Sequence, residues 1–405
     1  MKILLITDSY PPEIRSASHL MKELAEGLRD RGHEVMVATC YPAYNLSDSA
    51  LIQEYPIYSV EDNIEVIRIK TLPHHKVNFI LRGISQLTLP KFFWRGIKKY
   101  FKGNIDVAVV YSPPLPLGYV GYWCKKYMSS KFVLNLQDIF PQNAIDLGAL
   151  RNPLIIKFFE RMERVIYRLA DKITVHSEGN KDFLLKSKKI TQDKVEVLHN
   201  WIDINAYQPK QEDGIYLKKL GIEDKFVILF GGVIGPSQGL DLVIKAAEKI
   251  SHVQDIVLLI VGDGTEKQKL VKEVQSKGLK NVLFYPFIPK EEYAKLLKEV
   301  DVGLVSLSSK NKTPVVPGKI LGYMAAGLPI LGILNKESDG HSIIKDAECG
   351  YSTISDDYSK LAELMVKMYR EKHLLREMGY KGYMYAVENF SKDRCIDKIE
   401  NIFRE

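Results

Sequence analysis

The sequence predicts an α/β protein built from two doubly wound, Rossmann-like domains facing across a cleft. Strand-like apolar runs alternate with helix-length segments along the whole chain, and the alternation restarts after a polar stretch around 207–221. The 405 residues suffice for two domains, at roughly 100–200 residues each. A composition of 46% hydrophobic and 26% charged residues is that of an ordinary soluble protein and excludes wholesale disorder. In open α/β sheets ligands bind beyond the carboxyl ends of the strands, so an interdomain cleft is the expected site.

Lys2–Thr7 reads as a fully buried strand; its apolar stretch stops at Asp8, too early for a signal peptide. A Pro11-Pro12 loop leads to a helix with apolar Ala17, Leu20, Met21, Leu24 and Leu28 on one face, closed by Gly32. Strands are then expected at Glu34–Thr39, Glu65–Lys70, Asp106–Tyr111, Lys131–Gln137, Lys172–Ser177 and Lys194–Leu198. After the polar stretch they follow at Phe226–Phe230, Ile256–Val261, Asn281–Tyr285, Asp301–Leu307 and Pro329–Leu334, with terminal helices from about Asp357 to Phe403. Such alternation implies parallel sheets with right-handed crossovers. It places an amino-terminal domain over 1–205, a carboxy-terminal domain over 206–385, and a terminal helix over 386–405 packing back on the first domain.

Cys40, Cys124, Cys349 and Cys395 are far apart, which excludes a zinc ribbon, a CxxC motif and a disulfide framework, and favours a reducing cytosol. No apolar run approaches the ~18 residues of a spanning helix. The net charge of +7 is uneven: residues 1–200 hold 28 Lys+Arg against 21 Asp+Glu, and residues 201–405 hold 29 against 29. The first half is therefore the one expected to face an anionic partner, a membrane surface or nucleic acid.

The most informative segment is Val315-Val-Pro-Gly-Lys-Ile-Leu-Gly-Tyr-Met-Ala-Ala-Gly-Leu-Pro-Ile330. Pro317 and Gly318 open a helix with Lys319 in its first turn, where free N–H groups and the helix dipole attract a phosphate. The plain alternative is a solvated surface lysine.

This segment resembles the "PSK-x-x-E-Y-M-A-A-G-x-P-V" signature of the family 4 glycosyltransferases, which have the GT-B fold. Thr7–Glu13 with the helix ending Arg29-Asp-Arg-Gly-His-Glu-Val35 is similar to the family's amino-terminal unit. Tyr111-Ser-Pro-Pro114, Leu136-Gln-Asp-Ile-Phe-Pro-Gln142, Leu198-His-Asn-Trp-Ile-Asp203, Gly235-Pro-Ser-Gln-Gly-Leu-Asp241 and Val261-Gly-Asp-Gly264 resemble one branch of it. That branch contains the fucosamine-type N-acetylamino-sugar transferases of bacterial surface polysaccharide assembly. The resemblance implies retaining transfer from a nucleotide diphosphate sugar to a hydroxyl, in capsule, O-antigen or exopolysaccharide synthesis. The donor is expected to be a UDP-N-acetylamino sugar held by the carboxy-terminal domain. The acceptor is expected to be a polyprenyl-diphosphate-linked saccharide held by the amino-terminal one.

On this reading Lys319 serves the donor diphosphate with Gly232, Gly235, Gln238, Pro317 and Gly318, helped by Arg15 from the first domain. The chain departs from the family where an Arg and a Lys usually grip the diphosphate, having Val233 and Gln238, and where two glutamates usually stand, having Pro314 and Gly322. Asp138, at a strand's carboxyl end, is the candidate catalytic carboxylate for an acceptor hydroxyl, with a helix cap or turn as its plain alternative. His19 belongs to the acceptor side, while His176 and His199 read as core or edge histidines. No Asp-x-Asp occurs, so no metal site and no cofactor are expected.

Lys91-Phe-Phe-Trp-Arg-Gly-Ile-Lys-Lys-Tyr-Phe-Lys102 combines five cations and five aromatics with no acid. It reads as a membrane contact through Lys91, Phe92, Phe93, Trp94, Arg95, Lys98 and Lys99, or else as a helix burying its aromatics in the core. The expected location is cytoplasmic, peripheral on the anionic inner-membrane surface, with no nucleic-acid partner, since cations and aromatics gather in one short segment. Two other classes stay open: a GT-B UDP-sugar 2-epimerase, and a non-catalytic sugar-nucleotide-binding scaffold.

Overall fold

Every apolar run read above as a strand lies in a strand of the computed structural model, which describes residues 1–46, 54–73, 79–207 and 214–405. In the first half the strands are β1 (Lys2–Ile6), β2 (Glu34–Cys40), β3 (Tyr58–Glu61), β4 (Ile64–Ile69), β5 (Val107–Ser112), β6 (Lys131–Leu136), β7 (Lys172–Val175) and β8 (Val195–Val197). They form one sheet in the order β3-β4-β2-β1-β5-β6-β7-β8. All neighbours are parallel except β3 and β4, whose Asp62-Asn63 turn has φ of 49° and 61° at its two residues, as a two-residue hairpin requires.

The crossover helices are α1 (Ser16–Asp30), α2 (Phe79–Tyr100), α3 (Gly118–Met128), the short α4 (Gln142–Asp146), α5 (Pro153–Leu169) and α6 (Glu178–Ser187). Helices α2, α3 and α5 cover one face of the sheet, where Phe93, Ile97, Val120 and Ile166 pack with Leu4, Ile6, Val110 and Leu134. Gly121 brings α3 against the sheet, since a Cβ there would sit 2.4 Å from the Phe132 ring.

The second half has β9 (Phe226–Gly231), β10 (Ile256–Val261), β11 (Val282–Tyr285), β12 (Val302–Ser306), β13 (Ile330–Leu334) and β14 (Gly350–Ile354), all parallel in the order β11-β10-β9-β12-β13-β14. Its helices are α7 (Ile215–Leu220), α8 (Leu240–Lys249), α9 (Lys267–Ser276), α10 (Lys290–Glu299), α11 (Gly318–Ala325), α12 (Gly340–Asp346), α13 (Tyr358–Arg370) and α14 (Leu375–Asn389). Apolar clusters lie on both faces: Val227, Leu229 and Leu259 meet α11, and Ile228, Phe230 and Ile260 meet α8 and α13. A strand buried on both faces reads as an unbroken apolar run. Gly303 leaves room for Tyr323 of α11, whose ring would lie 2.5 Å from a Cβ there.

The contacts divide the chain into Met1–Asn200 with Lys392–Glu405, and Trp201–Ser391. These boundaries fall a few residues from 205 and 385, because the Ile202 amide donates to the Phe390 carbonyl at 2.9 Å and joins that stretch to the second unit. The last helix, α15 (Lys392–Arg404), packs on α1. Gly27 allows the approach, since its Cβ would meet Ile396 Cδ1. The Arg31 guanidinium lies 2.6 Å from Asp397 and 3.1 Å from Glu400, and Lys131 Nζ donates to the Ile402 carbonyl at 2.6 Å. All four cysteines are buried and none is in a disulfide. Among the described residues no helix is long and apolar enough to cross a membrane.

Candidate active site

In the second unit, β9 ends in a glycine-rich loop that only glycine can build. Gly232 has φ +134°, and a Cβ there would meet Lys319 Cε at 2.9 Å. The neighbouring Gly262 and Gly264 pack so closely on this loop that a Cβ on either would strike the carbonyl oxygens of Gly232 and Ile234. The Ile234 amide donates to the Asp263 carbonyl at 2.8 Å, so Asp263 serves turn chemistry. The following 3-10 turn, Pro236–Gln238, is fixed from β12: Ser306 Oγ donates to the Gln238 carbonyl at 2.5 Å and the Ser308 amide to the Ser237 carbonyl at 2.9 Å.

Helix α11 starts at Gly318 with extended Pro317 before it. Lys319, half-buried in its first turn, points its ammonium 3.3 Å from Gln238 Oε1 and 4.9 Å from the centre of the Phe230 ring. Among the described residues no carboxylate lies within ion-pair distance of it. Desolvation by the surrounding protein pulls its pKa from 10.5 down to about 8. Among the described residues a Cβ on Gly318 would meet nothing within 4 Å, and one on Gly235 would meet Val233 Cγ1 at 3.8 Å. The arrangement is a cation without an anion, beside a glycine loop and a helix start, and a phosphate supplies what it lacks.

The departures from the usual pattern have a structural consequence. Val233 is 69% exposed and contributes no charge. Gly322 lies one turn beyond Lys319, and a Cβ there would touch the Tyr207 ring at 3.4 Å. Tyr207 therefore stands in the space next to position 322 that a longer side chain would enter.

In the first unit the candidate residues gather at the carboxyl ends of β1, β5 and β6. Arg15, which precedes α1, places its guanidinium 3.2 Å from Asp8 and 3.9 Å from Glu13. Glu13 in turn accepts from the Ser9 hydroxyl at 2.9 Å and from the amides of Ala43 and Tyr44 at 3.1 Å. Arg15, expected to help Lys319 at the donor diphosphate, thus has two buried acids of its own unit beside its charge. His19 lies one turn into α1, its amide donating to the Arg15 carbonyl at 3.1 Å.

Tyr111 is buried at the end of β5; burial pushes its hydroxyl pKa up, and the charges of Asp138 and Asp8 push it further. Asp138 follows β6 and reaches solvent, yet the density of protein around it raises its carboxyl pKa. Its carboxylate accepts no hydrogen bond from the described residues and caps no helix, since α4 begins after Pro141. Beside it, Gln137 donates to Asn135 at 2.6 Å and accepts from Asn200 at 2.7 Å. His176 is buried, with Nδ1 2.9 Å from Asn180 Nδ2; burial and then His199 push its pKa down to about 4.

The two halves match two family models: residues 17–206 match Glycosyltransferase Family 4, and residues 214–384 match Glycosyl transferases group 1. The chain is a family 4 glycosyltransferase. It is 25% identical over 348 residues to the putative colanic acid biosynthesis glycosyl transferase WcaI of Escherichia coli, covering 81% of this chain and 82% of that one. It is also 25% identical to the probable glycosyltransferase WbjE of Pseudomonas aeruginosa, over 58% of this chain and 59% of that one. In structure it resembles the Anabaena protein HepE in complex with UDP, with a TM-score of 0.75 at 17% identity and both chains fully covered. WaaG, a glycosyltransferase of lipopolysaccharide biosynthesis, gives a TM-score of 0.70 at 17% identity over 99% of each chain.

For this glycosyltransferase the helix carrying Lys91–Lys99 needs a correction. Phe93 is fully buried and Phe101 nearly so, both in the core of the first unit, so Phe93 does not meet a bilayer. The reason is helical geometry: Leu89, Phe93 and Ile97 recur every four residues and face the sheet. Phe92 and Trp94 are half-buried, Trp94 against Trp123 at 5.9 Å, while Lys91, Arg95, Lys98 and Lys99 are exposed. Phe230 and Tyr207 carry no sequence signal as site residues, because each acquires its place only through contacts far along the chain.

Proposed function

We propose that this glycosyltransferase moves an N-acetylamino sugar from UDP, with retention, to a polyprenyl-diphosphate-linked saccharide in bacterial surface polysaccharide synthesis. It works peripherally at an anionic cytoplasmic membrane surface. One observation carries the donor half: Lys319 is a desolvated ammonium with a neutral amide, an aromatic face and a glycine loop around it, and no carboxylate among the described residues. As the bond from C1 to the diphosphate breaks, its electron pair passes to the phosphate oxygen. Lys319 and the N–H groups of the Gly231–Gly235 loop stabilise that charge. The acceptor oxygen forms the new bond to C1, and its proton leaves to a base, the role assigned to Asp138.

The names of similar proteins support a nucleotide-sugar donor and a surface polysaccharide product: colanic acid biosynthesis for WcaI, and complexes with UDP and UDP-glucose for HepE. The test is incubation with UDP-N-acetylglucosamine and related UDP-amino sugars in the presence of a lipid-linked saccharide. UDP release and the anomeric proton coupling of the product are followed by NMR. Transfer with an unchanged anomeric configuration is expected; an inverted product, or release without transfer, contradicts the reading.

A further inference from the structure

We infer that the first two turns of α5 insert into an anionic lipid surface and hold the Asp138 end of the first unit against it. Leu154 is 78% exposed, Phe158 48% and Ile155 37%, so three large apolar side chains at the start of one helix present surface to solvent. Isolated exposed apolar residues are ordinary; a cluster of them at one helix start is not. The rest of the same helix supplies the charge. Lys157, Arg161, Arg164 and Arg168, spaced by four, three and four, are all exposed and form a cationic stripe. Of the helix's two acids, Glu163 is buried and paired with Lys188 at 2.9 Å, so it does not neutralise the stripe.

The topology repeats this pattern. Crossover helices run back along the sheet, so α2 and α5 both start at the carboxyl edge of the strands. The first described turns of α2 likewise expose Leu81, Ile84 and Leu87, followed by exposed Lys91, Arg95, Lys98 and Lys99. Apolar groups at the edge with cations behind them suit the headgroup boundary, where apolar side chains bury and ammonium or guanidinium groups meet anionic lipid. The whole charge excess of the protein lies in residues 1–200, which makes the occupant an anionic bilayer and not a neutral apolar partner.

The patch is also connected to the candidate base. Phe140, two residues past Asp138, packs edge-on against Phe159 at 4.9 Å, and Phe159 touches Phe158 at 5.3 Å. An anchored α5 therefore fixes the height of Asp138 above the lipid, which is what a lipid-linked acceptor requires. This inference rests on the membrane reading above but assigns it to a different helix.

The experiment is co-sedimentation of the full chain with phosphatidylglycerol-rich vesicles, comparing wild type with Leu154→Glu/Phe158→Glu and with Lys98→Glu/Lys99→Glu. A second measurement places a polarity-sensitive dye on Leu154→Cys, with Phe287→Cys of the second unit as control; the native cysteines are buried. Unfolding midpoints and size-exclusion profiles without lipid accompany both. The expected result is at least tenfold weaker vesicle binding for the α5 variant, with an unchanged midpoint and a blue-shifted dye at 154 but not at 287. Vesicle binding by wild type that survives in the α5 variant overturns the inference and leaves the membrane reading standing. No binding by wild type overturns both. A wild-type dimer that the α5 variant dissolves identifies the occupant as a second copy and also overturns the inference.

Discussion

Lys319 makes donor binding depend on pH in a calculable way. In the free enzyme its ammonium titrates near about 8, because desolvation lowers it from 10.5. A diphosphate beside it favours the charged form and restores the proton's affinity. At pH 7 about nine-tenths of the free enzyme carries the proton, and at pH 9 about one-tenth does, so UDP affinity is expected to fall roughly tenfold, about 1.4 kcal/mol. Isothermal titration with UDP over this range, in wild type, Lys319→Met and Lys319→Arg, reads the effect directly. Lys319→Met is expected to bind weakly with little pH dependence, and Lys319→Arg, always charged, to lack the decline. Stability moves the opposite way: between about pH 8 and 10.5 the unfolded chain holds a proton that the folded chain has released. Over that window wild type gains stability relative to Lys319→Met as pH rises. Equal affinities at pH 7 and 9 in wild type, or the same decline in Lys319→Met, refute the reasoning.

Other expectations follow from single contacts. Asp138→Asn is expected to lower turnover by about a hundredfold or more while leaving UDP affinity unchanged; normal turnover at saturating substrates reduces Asp138 to a structural residue. Gly232→Ala puts a Cβ 2.9 Å from Lys319 Cε at a φ of +134°, so both weaker UDP binding and a stability loss of about 1–3 kcal/mol are expected by titration and urea unfolding. Phe93→Ala empties a fully buried site and is expected to cost about 3–5 kcal/mol in urea unfolding; an unchanged midpoint contradicts its place in the core.

The strands of both sheets are legible because parallel strands buried on two faces leave unbroken apolar runs such as Val107–Val110 and Ile256–Val261. The strands that escape notice are those without such runs. Tyr58–Glu61 is a half-exposed antiparallel edge, and Gly350–Ile354 mixes polar residues into the other sheet's edge. Lys319 is legible from Pro317 and Gly318 before it, but its neighbours Gln238 and Phe230 come from more than eighty residues away. The aromatics around Lys91–Lys102 show how composition misleads: it counts Phe93 and Trp94 alike, while the helix turns one into the core and the other toward its surface. Arg15 carries the reverse lesson, since the acids that balance it, Asp8 and Glu13, stand within seven residues of it in the sequence.

The central claim is a UDP-sugar site organised by Lys319. Thermal unfolding of the wild type and of Lys319→Ala with UDP, GDP and ADP tests it most directly, because a ligand at a hundredfold its Kd stabilises by about 2.7 kcal/mol. The account predicts a rise in Tm that is largest with UDP and is lost in the variant. No rise with any nucleotide, or a UDP-dependent rise that the variant keeps, contradicts it.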